Sequence, residues 1–216
     1  MDERREASFS LAYALAEDPM SFYLVRAGDS AEQAWKSHLR IMSCVFAVYR
    51  LAGIVTTVGP DYDAVALWTP PGKFLDGWWT TLRSGTLGLV CQIPVETSRR
   101  CFSELGPALH RTRKETMGAR NNDTYYLGYI GTKPCARGKG YASALIRAMA
   151  DKADAEKRPI YLESSSSENN AFYAKFGFEL KTLVELKRGP APVTLYCMVR
   201  EPQPGTPLPT REGPKA

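Results

Sequence analysis

The chain has 216 residues, 44% of them apolar and 24% charged, with a formal net charge of +5. This is enough for one globular domain with a hydrophobic core, and the modest charge suits a polyanionic small ligand rather than nucleic acid. Five scattered cysteines without CxxC spacing argue against a disulfide framework and a zinc site, and fit a reducing, cytoplasmic setting. The start, MDERREASFS, shows no secretory h-region, and no run nears the roughly 20 apolar residues that span a bilayer.

In chain order, residues 8–17 are expected to form a helix that Asp18-Pro19 ends. Asp29 or Ser30 is expected to cap a second helix from Ala31 to Leu51, where Trp35, Leu39, Met42, Phe46 and Tyr49 recur at helical spacing. Gly53 stops it. Strands are expected over Ile54–Val58 and Asp63–Trp68, joined by the turn Gly59-Pro60-Asp61-Tyr62 and closed by Thr69-Pro70-Pro71-Gly72. From Phe74 to Pro107 the pattern is helical, with breaks at Gly85, Gly88, Pro94 and Gly106-Pro107, and another helix runs to Met117. The cluster His110-Arg111-Thr112-Arg113-Lys114 reads as a solvated helix face. A strand over Thr124–Thr132, a helix over Gly138–Glu156, a strand over Pro159–Glu163 and a short helix over Asn169–Phe176 follow. Strands Phe178–Leu186 and Val193–Val199, joined through Gly189-Pro190, close a single domain of residues 1–200. The tail 201–216 is proline-rich and expected to be disordered.

The most informative stretch is Tyr125–Ala142, YYLGYIGTKPCARGKGYA. Glycines at a strand-to-helix junction let the backbone approach a ligand, and unpaired helical N–H groups there favour phosphate. A P-loop needs GxxxxGK[ST], and Lys133 and Gly140 break it. A dinucleotide fingerprint fails only at Ser143, with Glu163 about 20 residues on as a ribose-binding acid, so that reading stays open. The pattern [Gln/Arg]-x-x-Gly-x-[Gly/Ala] is met by Arg137-Gly138-Lys139-Gly140-Tyr141-Ala142.

That segment resembles the acetyl-CoA-binding motif of the GNAT superfamily of N-acetyltransferases. YYLGYIGTKP is similar to the strand before the family's loop, Pro159–Glu163 to its next strand, and Glu168–Phe178 to its "N…FY…GF" signature, all in the family's order. AVALWTPPG at Ala64–Gly72 is similar to the branch around puromycin acetyltransferase. The resemblance implies a mixed α/β (α+β) fold whose largely antiparallel sheet is splayed in the middle and flanked by helices. It implies acetyl-CoA as co-substrate without a metal. The pyrophosphate would sit on the N–H groups of Gly138, Lys139, Gly140, Tyr141 and Ala142, with Arg137 and Ser143 adding charge and a hydroxyl. The pantetheine arm would pair with the backbone of Ile130, Gly131 and Thr132, one of whose N–H groups would steady the oxyanion, and Asn169 and Phe172 would hold it further.

The same resemblance puts Tyr173 at the position of the general acid beside the sulfur. Glu163 is the first candidate for the base that deprotonates the amine, and His110 a distant second. Tyr62, Trp68, Trp78 and Trp79 are aromatic candidates for an acceptor pocket. With only His38 and His110, and no GxSxG or HExxH, the nucleophile is expected to come from the substrate. The expected partner is a small-molecule amine, not nucleic acid or membrane, for a monomer or homodimer. The alternatives are a peptide amine, or an acyl-CoA-binding module without turnover.

Overall fold

The computed structural model describes residues 3–25, 30–73, 75, 77–189 and 191–204. Asp29, Phe74, Pro190 and residues 205–216 of the tail, all named above, lie outside them. The elements are α1 (Glu3–Ala14), α2 (Pro19–Val25), α3 (Ala31–Ala52), β1 (Ile54–Val58), β2 (Ala64–Thr69), α4 (Trp78–Arg83), α5 (Thr86–Val90), α6 (Val95–Arg99), α7 (Gly106–Met117), β3 (Tyr125–Thr132), α8 (Tyr141–Ala155), β4 (Ile160–Ser164), α9 (Glu168–Ala174), β5 (Phe178–Leu186) and β6 (Val193–Arg200). The strands form one sheet in the order β1-β2-β3-β4-β6-β5, in which only β3 and β4 run parallel. This is the mixed, largely antiparallel sheet with flanking helices expected from the sequence.

Alternation along the strands splits the core in two. Val65, Leu67, Tyr161, Leu195 and Cys197 pack beneath α1, α2, α3 and α7 on one face. Ala64, Ala66, Trp68, Leu127 and Leu162 pack against Leu145, Ile146 and Met149 of α8 on the other. Every residue of β2 is buried, so its sequence AVALWT is a continuous apolar run. At the rim, Asp154 makes a bidentate ion pair with the buried Arg200 at 2.6 and 2.7 Å, and Arg200 Nε donates to the Phe176 carbonyl at 2.7 Å. That clamp ties α8, the α9–β5 turn and the end of β6 together.

Three departures from the expected layout matter. The first helix ends at Ala14, and Asp18-Pro19 starts α2 instead of ending α1: Asp18 Oδ1 accepts from the N–H groups of Met20 at 2.9 Å and Ser21 at 3.3 Å, with Pro19 first in the helix. Asp at the cap and Pro at the first helical position are a start signal, not only a stop. Ser30 is the cap of α3, its Oγ accepting from Gln33 N at 3.3 Å. Gly106-Pro107 is no break, because a π-helical turn, Arg100–Leu105, joins α6 to α7. Pro107 has no N–H to donate, and its ring crowds the preceding turn; the wider turn, with Gly106 N–H bonded to Cys101 O, absorbs both. Among the described residues no helix is long and apolar enough to cross a membrane.

Candidate active site

The glycine loop follows β3 directly. Lys133 N–H bonds Asp63 O at 2.8 Å, and a single 3₁₀ turn, Pro134–Ala136, buries Ala136. Gly138 and Gly140 then take left-handed conformations, φ 80° and 77°, with nothing within 4 Å of where a Cβ would stand. Gly140 caps α8 without any side-chain bond, and the first intrahelical bond is Ala144 N–H to Gly140 O at 3.0 Å. The N–H groups of Tyr141, Ala142 and Ser143 therefore have no acceptor within the helix. Arg137 is exposed at the loop's mouth, where one guanidinium N–H donates to Ala14 O at 3.3 Å at the end of α1. Lys139 Nζ lies 5.9 Å from the centre of the Tyr141 ring.

Beside this loop the sheet opens. β3 pairs with β4 only from Tyr125–Ile160 to Leu127–Leu162, while β3 stays on β2 as far as Thr132 and β4 stays on β6 as far as Ser164. The turning point is Gly128, which stands at the register shift between Leu67–Tyr129 and Trp68–Leu127. A bulge there bends the strand away from its neighbour. A Cβ on Gly128 would lie 1.9 Å from the Tyr49 hydroxyl. Because Lys133 bonds toward β2, alternation turns the amide of Gly131 to β2 and those of Ile130 and Thr132 to the open side. Gly131 contributes space instead: an added Cβ would meet Ala14 Cβ at 2.6 Å, so glycine lets α1 lie on the strand.

A cleft of about 150 Å³ fills the opening, and its walls include Ile130, Glu163, Asn169 and Tyr173. Tyr173 is buried on α9, edge-on to Phe172 and Phe178 at 5.5 and 5.9 Å. Burial, then the charge of Asp18, raises its phenol pKa, so it holds its proton at neutral pH. Asp18 closes the cleft from the α1–α2 corner, where its Oδ2 accepts from Ser165 Oγ of the β4–α9 loop.

Glu163 stands one residue past the last β3–β4 pair. It is half-buried, part of its surface opening on the cleft, and among the described residues Oε1 is buried with no hydrogen-bond partner. Burial pushes its carboxyl up to about 7, against the opposing pull of the Tyr126 and Tyr161 hydroxyls and the Arg113 guanidinium. A second cavity of about 210 Å³ reaches Glu163 from the α7 side, lined by Lys73, His110, Arg113 and Tyr126 among others.

The GNAT acetyltransferase-domain model matches residues 111–180, the span that holds β3, the glycine loop, α8, β4 and Tyr173. Over 212 residues the chain is 32% identical to an uncharacterised N-acetyltransferase of Schizosaccharomyces pombe, covering 98% of this chain and 85% of that protein. The chain belongs to the GNAT family of N-acetyltransferases. Two solved structures share the fold of this acetyltransferase across nearly its whole length. One is a mosquito arylalkylamine N-acetyltransferase (TM-score 0.59, 14% identity, 93% and 96% of the two chains). The other is described as histone acetyltransferase HPA2 and related acetyltransferase from Corynebacterium glutamicum (TM-score 0.57, 19% identity, 96% and 93%).

In this GNAT enzyme the residues singled out from sequence fall into two groups. Ile130, Glu163, Asn169 and Tyr173 share the cleft wall, while Gly138–Ser143 form the neighbouring loop and helix start. Phe172 packs on Phe176 at 5.2 Å behind Tyr173. The aromatic acceptor candidates do not join them. Trp68 is wholly buried and bonds Thr56 Oγ1 at 3.0 Å, Tyr62 packs at the core's edge, and Trp78 and Trp79 stack on each other at 4.0 Å in solvent. His38 is structural, its Nε2 bonded to Ala12 O at 2.9 Å. The sequence reading missed Asp18, Gly128, Tyr126 and Arg113. The Asp-Pro helix start and a lone glycine inside a strand were usable signals for the first two. Arg113 was absorbed into a solvated face, yet it is half-buried with its guanidinium 5.0 Å from the centre of the Tyr126 ring.

Proposed function

We propose that this GNAT acetyltransferase takes its acetyl group from acetyl-CoA and passes it to the amine of a small molecule, by direct attack with both substrates bound. The observation that carries the reading is that Glu163 and Tyr173 line one cleft where β3 and β4 part, beside a helix start whose glycines leave the backbone open. The loop residues Gly138–Ser143 would hold the pyrophosphate, with the α8 dipole adding to the attraction. Arg137 keeps further guanidinium donors for phosphate beyond the one used on Ala14 O. The open-side amides of Ile130 and Thr132 suit the pantetheine arm and the acetyl carbonyl.

The roles of the two titratable groups follow from their surroundings. An amine arrives as an ammonium and must lose a proton before it attacks. A carboxyl near 7 is half ionised at neutral pH, and Glu163 accepts that proton. As the N–C bond forms and the C–S bond breaks, Tyr173 gives its proton to the departing sulfur, and the second proton that the nitrogen sheds on becoming an amide restores the phenol. The small cleft, roofed by the α1–α2 corner, favours a small acceptor over an extended peptide. Thiol release from acetyl-CoA across a panel of amines tests the reading, with Tyr173→Phe as the internal check: turnover should fall while CoA affinity holds. Thermal stabilisation by NAD but not by CoA would replace the reading with dinucleotide binding.

A further inference from the structure

The two cavities meet at Glu163, Tyr126 and Leu109, and they differ in charge. Among the described residues, the charged ones lining the first are the carboxylates Asp18 and Glu163. The second carries Lys73, His110 and Arg113, with Glu163 at its inner end. Arg113 is held at two points: one N–H donates to Asn121 O at 3.1 Å, and its guanidinium lies over Tyr126. Its Nε is buried without a hydrogen-bond partner, and among the described residues no carboxylate stands within ion-pair distance of it. A buried N–H left unpaired is costly, and a fixed guanidinium matches a carboxylate.

Resting on the acetyl-transfer reading, we propose that the acceptor enters through this second cavity and is an amino acid-like molecule, its amine toward Glu163 and its carboxylate on Arg113. The inner carboxylates attract the ammonium end, and the outer cations attract the acid end. A plain amine would leave Arg113 unpaired and forgo half of that match. Lys73 and His110, both exposed, line the entrance and strengthen the field for an anion.

The test compares amino acids with the decarboxylated amines of equal length, from glycine to 6-aminohexanoate and phenylalanine, in the full chain. The readout is the ratio of kcat/KM for each acid over its amine, in which effects common to both cancel. At least one pair should favour the acid by about ten-fold or more, as expected for a desolvated charge pair. Arg113→Met should bring that ratio to about one through KM, and Arg113→Lys, which keeps the charge but loses the fork, should fall between. Ratios of one or less throughout the panel, or a ratio that survives Arg113→Met, overturn the proposal; should the Met variant not fold, an unchanged ratio in the Lys variant does the same. Calorimetric binding of the same pairs to the CoA-saturated protein separates the two claims. Arg113-dependent preference for the acid without thiol release supports this site and sinks the transfer reading; turnover of amines with no acid preference does the reverse.

Discussion

The proposed donor side and the proposed acceptor side of this enzyme are built in different ways. The donor side is local in sequence: β3, the glycine loop, α8, β4 and α9 follow one another within Tyr125–Ala174, so each piece is close to the next in the chain. The proposed acceptor side is assembled from far apart. Asp18 comes from the α1–α2 corner, Arg113 from α7 and Lys73 from the loop after β2, and they meet only around Glu163. A local site can be specified by a short motif, whereas a distributed one is specified by packing, which tolerates many sequences. The comparison teaches that the donor of such an enzyme is easier to read than its acceptor.

Substitutions can break that contrast, and the largest effect is expected at the joint between the two sides. Glu163→Gln should lower kcat/KM by roughly 10²–10⁴, the usual worth of a general base. In the wild type kcat/KM should rise with pH through about 7 and then level, and this limb should vanish in the variant. A retained limb would assign the proton transfer elsewhere. Tyr173→Phe comes next, with turnover lowered roughly 10²-fold as for a lost general acid and CoA affinity by calorimetry unchanged. Equal losses in both would make Tyr173 a packing residue.

The same Glu163→Gln change should act oppositely on stability. A carboxyl raised in the folded state binds its proton more tightly there than when unfolded. The wild type is therefore favoured below the unfolded pKa and loses stability as pH rises through about 7. The variant should be more stable than wild type at pH 8, by about 1–3 kcal/mol, with the gap closing toward pH 4. Denaturant titrations at the two pH values would show it. An active-site acid kept at a cost to stability is the expected signature of function, and a variant less stable at pH 8 would deny it.

Smaller effects should separate the two sides. Gly140→Ala forces a side chain into the left-handed region at the start of α8, costing about 1 kcal/mol of stability. It should weaken CoA binding several-fold and leave the acceptor KM alone. Asp18→Ala removes the α2 cap, worth about 1 kcal/mol, and the tie to Ser165. It should raise the acceptor KM and spare CoA affinity. If both substitutions moved both constants equally, the two sides would be one cooperative unit.

Much of the donor side was legible because its requirements are backbone ones. Gly138 and Gly140 take left-handed conformations that side chains rarely adopt, so the turn into α8 is written in the residue types themselves. The α8 periodicity, the strand before it and the Asn169–Tyr173 segment sit at short, fixed distances along the chain. The bend that opens the sheet was less visible. Gly128 was read as part of a plain strand, because a bulge is defined by its partner strand, and β2 lies some 60 residues earlier by number. Pro107 was read as a break, because local rules do not show that the preceding turn widens to admit it.

By itself, the sequence determined the glycine turn and helix start at Gly138–Ser143, the helix and strands around them and the family they mark, since these depend on local conformational freedom. Only the tertiary structure decided what Glu163 is. Its carboxyl is unusual because the packed chain around it removes it from water by more than the Tyr126 and Tyr161 hydroxyls and the Arg113 guanidinium can offset. Desolvation and the meeting of distant charges belong to the packed chain, and no stretch of residues carries them alone.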